Sequence, residues 1–147
     1  MINETTVRYL LPEIVLIIGA AAIYVAGAFR VSSTLCVWAS RAFVLIAAIS
    51  LWRSSGMVTD PVVPGQSVFL DQFSTIFRCA SLVLAGLFVF GWTSSRDTLE
   101  GERTGSILLV FSGCMLVSSA ADLGMMFVAL ELVSIPTYAI LFLSLIH

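Results

Sequence analysis

The chain has 147 residues, of which 59% are hydrophobic and 11% charged, with a formal net charge of -2. A soluble domain carries about 25% charged residues, so the composition excludes an ordinary soluble globular fold. The small net charge and the lack of any basic cluster exclude nucleic-acid binding.

Long apolar runs that are continuous rather than alternating predict an all-α polytopic bundle embedded in the lipid bilayer. The sequence reads as a single membrane domain over 1–147, with five spans. The first covers 10–29, with Pro12 and Glu13 at its start. Proline is tolerated in a first turn, and an acid there favours the helix dipole. The run is too long, and its flank too acidic, for a cleaved signal peptide.

A second span covers 35–52 and is interrupted by Arg41, which is expected to snorkel towards the interface. A polar loop follows over 53–71, rich in breakers: Gly56, Asp60, Pro61, Pro64 and Gly65. The third span covers 73–92, and a short charged loop over 94–104 leads to the fourth, 105–121. A tight turn over 118–122 joins this to the fifth, 123–147, so the two are expected to pair antiparallel. Asp122 is placed to cap that last helix.

All seven basic residues are arginines, and lysine is absent. Arg30, Arg41, Arg96 and Arg103 fall on one side, and Arg8, Arg53 and Arg78 on the other. The positive-inside bias then puts the N-terminus outside and His147 inside. Cys36, Cys79 and Cys114 lie in apolar surroundings without ligand spacing, and are read as small packing residues rather than a disulfide framework. Tyr24, Trp38, Trp52 and Trp92 suit interfacial or packing roles.

Glu131 stands out. It lies nine residues beyond Asp122, about 13 Å along a helix, near the middle of a hydrocarbon core about 30 Å thick. An ionisable group at that depth costs several kcal/mol unless protonated, paired or hydrated, and proton or ion relay is its commonest use. Gly124, Glu131 and Tyr138 are spaced by seven and share a stripe, with Ser134 beside it. Small and polar faces turn inward in membrane bundles, so this stripe is expected to face protein or water. Pro136 frees the carbonyl of Leu132 next to Glu131. The bland alternative is a protonated glutamate hydrogen-bonded between helices.

Asp122 is read as a cap rather than a relay, and Glu13 as an interfacial helix-start residue. Arg78 is expected to snorkel, the alternative being a pairing with a carboxylate inside the bundle. No phosphate loop, nucleophilic triad or Cys/His ligand set is present in the sequence, and nothing recognisable binds a flavin, haem or iron–sulfur centre.

The stretch Ala129-Leu130-Glu131-Leu132-Val133-Ser134-Ile135-Pro136-Thr137-Tyr138 resembles the fifth helix of subunit N of the proton-translocating NADH:quinone oxidoreductases, an antiporter-like membrane subunit family. Ser118-Ser119-Ala120-Ala121-Asp122-Leu123 resembles the family's tight turn before that helix. Leu11-Pro12-Glu13 and the stretch from Asp71 to Arg78 fit its spacing. Arg78 stands where many members are expected to have lysine.

The resemblance implies a portion of a subunit with about fourteen helices in inverted repeats. Glu131 would be the glutamate that pairs with a lysine from a later helix, with Ser134, Pro136, Tyr138, Gly124 and Arg78 as supporting residues. It further implies partners among the other membrane-arm subunits, and localisation in the bacterial inner membrane. No cofactor is expected in this chain, since NADH, flavin, iron–sulfur clusters and quinone belong to the wider complex. The lysine partners cannot lie in these residues, so the chain by itself is expected to pump nothing. A cation/proton antiporter subunit and a non-pumping structural piece remain as alternatives.

Overall fold

A computed structural model describes residues 4–29, 31–55, 68, 71–91 and 100–145. They form six helices: α1 (Glu4–Tyr9), α2 (Leu11–Ala28), α3 (Ser33–Ser55), α4 (Gln72–Gly91), α5 (Glu100–Ser119) and α6 (Leu123–Leu145). One isolated antiparallel bridge, Val68 to Ala120, joins the segment before α4 to the α5–α6 turn. The all-α polytopic architecture is as the continuous apolar runs predict. The loop breakers Gly56, Asp60, Pro61, Pro64 and Gly65, the residues 94–99, Arg30, Trp92 and His147 lie outside the described residues.

Four helices, α2, α3, α4 and α6, are long and apolar enough to cross a membrane. The fourth expected span is different. It begins five residues earlier than expected, at Glu100, and carries Glu100 and Glu102 in its first turn, where acids complement the helix dipole. It falls outside the set of long apolar helices because much of it is polar or small. Its position explains why this is tolerated: α5 packs against α2, α3, α4 and α6. A helix enclosed by its neighbours needs less hydropathy than one facing lipid, and small residues let backbones approach.

Two close seams follow from this. On α5, Gly101 and Gly105 are four apart and both face α2. A Cβ on Gly101 would lie 3.0 Å from the Cα of Gly27, and one on Gly105 3.0 Å from the ring of Tyr24. Tyr24 and Ser106 share a hydrogen bond across this seam, so Tyr24 is a packing residue with a satisfied hydroxyl. Further along α5, a Cβ on Gly113 would lie 2.7 Å from Val133 Cγ2 and 3.0 Å from the carbonyl oxygen of Ala129. Leu16, Ala20, Ile23, Leu108 and Met115 fill the core between these helices.

Helix starts are set by side-chain caps. Asp71 Oδ1 accepts the backbone N–H of Ser74 at 2.6 Å, and Asp122 Oδ1 accepts that of Met125 at 2.6 Å. These are the N-cap contacts that an aspartate before an apolar run supplies. The α3 helix runs unbroken through Arg41. Its guanidinium lies 5.3 Å from the ring centroid of Trp38 and 5.6 Å from that of Phe90, where aromatic faces attract the cation. Trp38 and Trp52 are 64% and 84% exposed, as interfacial aromatics would be. Cys36 is buried, Cys114 half-buried and Cys79 exposed, all three as free thiols.

Candidate functional site

Two carboxylates lie within apolar helices in opposite circumstances. Glu13, in the first turn of α2, is 1% exposed. Its partner is Arg78, 65 residues away on α4: Arg78 Nε donates to Oε1 at 2.7 Å and Nη2 to Oε2 at 2.9 Å. Nη2 also donates to the carbonyl oxygen of Tyr9 at 2.6 Å. The guanidinium fork therefore grips the carboxylate through both oxygens, a geometry that lysine's single ammonium does not reproduce. The tie reaches back across the α1–α2 break.

This corrects two expectations. Arg78 does not snorkel, since it is 2% exposed, and Glu13 is not a simple interfacial residue. Arg78 lies six residues beyond the start of α4, about 9 Å along the helix. At that depth a partner two residues into α2 is nearer than bulk solvent, and a buried charge requires such a partner.

Glu131 has the opposite setting. It is the ninth residue of the 23-residue α6, and the chain's own helices leave it exposed. The reason lies in the α5 seam. Gly113 brings Ala129 and Val133 against α5, and Pro136, one turn on, is buried. At 100° per residue, Glu131 is turned about 200° from Ala129, so it points away. Tyr138 is 70% exposed, and Gly124 is also exposed. The expected inward-turning stripe is thus an outward one with respect to these helices. Close backbone packing at glycine decides which face of α6 meets α5.

Ser134 is half-buried, and its hydroxyl donates to the carbonyl oxygen of Leu130 at 2.7 Å. Thr137 donates to that of Val133 at 2.6 Å. Such back-bonding is common in apolar helices. It commits the Ser134 donor to the backbone rather than to Glu131. The helix continues through Pro136 to Leu145, and proline leaves the Leu132 carbonyl without its usual intrahelical donor. Gly124 sits beside the cap, where a Cβ would lie 3.3 Å from Asp122 Oδ1.

Glu100, at the start of α5, is also buried, at 1% exposure, and the sequence reading assigned it only to a charged loop. Its signal was available in retrospect: an acid two residues ahead of a second acid, just before an apolar run, marks a helix start. No group of three or more potential metal ligands is found among the described residues.

Together these features define an integral membrane protein, a polytopic helical bundle in which, among the described residues, the Glu13–Arg78 ion pair is closed within the bundle and Glu131 is open on its outer face. The chain is similar to "NADH-quinone oxidoreductase subunit N" of Francisella tularensis subsp. holarctica, with 28% identity over 149 residues, covering 96% of this chain and 30% of that protein. Subunit N 2 of Rhizobium meliloti is 30% identical over 135 residues, 88% of this chain and 28% of its own length. "F(420)H(2) dehydrogenase subunit N" of Methanosarcina mazei is 26% identical over 145 residues, 91% of this chain and 29% of that protein. No family model and no solved structure matches the chain. The chain is a partial homologue of subunit N of the NADH-quinone oxidoreductases, spanning about 30% of the length of the relatives it matches.

Proposed function

We propose that this chain is part of a bacterial inner-membrane subunit that couples electron transfer from NADH to quinone to proton translocation, with Glu131 as a relay carboxylate. The observation that carries this reading is the position of Glu131, midway along α6 and uncovered by the chain's own helices. A carboxylate so placed needs a cation or a proton from elsewhere. The family resemblance implies a lysine for that cation, and the sequence has none, so in this reading it is supplied by a helix outside these residues.

In this reading, movement of that cation towards and away from Glu131 is the step that drives a proton along the relay. The Leu132 carbonyl freed by Pro136 offers a polar foothold for water near the carboxylate. In this reading Arg78 takes no part in the relay, because Glu13 already engages it. Electron transfer, with its flavin and iron–sulfur centres, belongs to other subunits of the assembly, and the N-terminus lies outside.

The test is Glu131→Gln in the full-length protein within its native complex. Proton pumping and coupled turnover are expected to fall several-fold while the subunit still assembles. Normal pumping in that variant would falsify the relay role.

A further inference from the structure

We infer that the groove between the α1–α2 junction and the C-terminal half of α3 binds one anionic glycerophospholipid, with its phosphate held by Arg8 and Arg53 and an acyl chain along Leu11, Ile46 and Ile49. The groove has a volume of about 460 Å³, within the roughly 300–1,000 Å³ typical of ligand sites. Its long wall is apolar and uncovered by the chain's own helices: Leu11, Ile46 and Ile49 are 41%, 50% and 61% exposed. Among the described residues, the charged side chains that line it are Arg8 and Arg53, both exposed. Neither makes an ion pair among the described residues.

Tyr9 also lines the groove, and its phenol is neutral; the two serines are already engaged. The hydroxyls of Ser50 and Ser54 donate to the carbonyls of Ala47 and Leu51 within α3. Among the described residues, charge at the groove comes from the two guanidiniums, and it complements a phosphate diester. Each presents a planar fork that matches phosphate oxygens. The depth also fits. Arg53 is in the last turn of α3, next to Trp52, whose exposure matches residues that sit at headgroup level. An apolar trough ending in two cations at the interface suits a molecule with an apolar tail and an anionic head. It suits free phosphate poorly, since that would leave the trough bare. This site is separate from Glu131 and does not rest on the proton-relay reading.

The experiment is native mass spectrometry of the full chain, reconstituted in nanodiscs of equal parts phosphatidylglycerol and phosphatidylcholine, counting the lipids retained. Retention of phosphatidylglycerol in preference to phosphatidylcholine is expected. In the double variant Arg8→Gln/Arg53→Gln, phosphatidylglycerol affinity is expected to fall roughly 30-fold, or about 2 kcal/mol at 1.4 kcal/mol per tenfold. Ile49→Trp, which fills the trough, is expected to lower retention of both lipids. Each substituted residue is exposed, and circular dichroism checks that helicity is kept.

Equal retention of the two lipids overturns the proposal, as does a double variant that retains phosphatidylglycerol like the parent. Displacement of the lipid by excess inorganic phosphate would identify a free-anion site instead. Absence of any retained lipid likewise overturns the proposal.

Discussion

Glu13 and Glu131 are the same side chain in two membrane helices, and they differ in who supplies the counter-charge. The Glu13 carboxylate is answered inside the bundle by Arg78, through two hydrogen bonds and with almost no exposure. Glu131 is answered by nothing on α5, because the glycine seam turns it outward. The first arrangement joins helices and resists change. The second leaves a group whose state depends on what approaches it. Intramembrane charge is thus a sign of function only after the local partner has been identified.

That contrast can be broken most sharply at Arg78. Arg78→Ala leaves Glu13 buried and unpaired, and removing one member of a buried pair costs about 3–5 kcal/mol. A large loss in the unfolding free energy measured in detergent micelles is expected, and a parent-like value would mean that Glu13 is in fact hydrated. Gly113→Val tests why Glu131 faces outward. The added side chain meets the α6 backbone, and such overpacking costs about 1–3 kcal/mol. Cysteine cross-linking between α5 and α6 should weaken with it, whereas unchanged cross-linking would remove the seam as the cause.

Asp122→Ala removes the α6 cap and is expected to cost about 1 kcal/mol, visible as fraying of 123–126 by hydrogen exchange. The smallest effect belongs to Glu131→Gln. Stability of the isolated chain should change by less than about 0.5 kcal/mol, as for substitutions away from packed features. A loss as large as that of Arg78→Ala would show that the open carboxylate is held from within after all.

The features visible in one dimension were those written in one segment. Glu131 inside an apolar run, Asp122 before it and the tight turn at 118–122 need only local spacing to be read. The union of Glu13 with Arg78 needs two segments 65 residues apart to meet, and no helical period reports that. The stripe through Gly124, Glu131 and Tyr138 was legible as a stripe. Which way it faces was not, because that depends on Gly113 of another helix. The central place of α5 escaped for a related reason: hydropathy measures contact with lipid, and a helix ringed by neighbours has little of it. The small-residue spacing of Gly101 and Gly105 was not singled out in the sequence, and it gains meaning only when Gly27 is seen beside it.

The reach from Arg78 to Glu13 also bears on how the chain is made. Helix α2 enters the membrane before α4 has been synthesised, and its carboxylate waits for 65 residues of chain. At about 5–20 residues per second, the interval is roughly 3–13 s. During it, Glu13 is without the guanidinium that holds it in the finished bundle. When Arg78 arrives, it takes the carboxylate and the Tyr9 carbonyl together. The ion pair therefore closes only once α4 has been made, and it ties α2 to α4 rather than to α3, its neighbour in the chain.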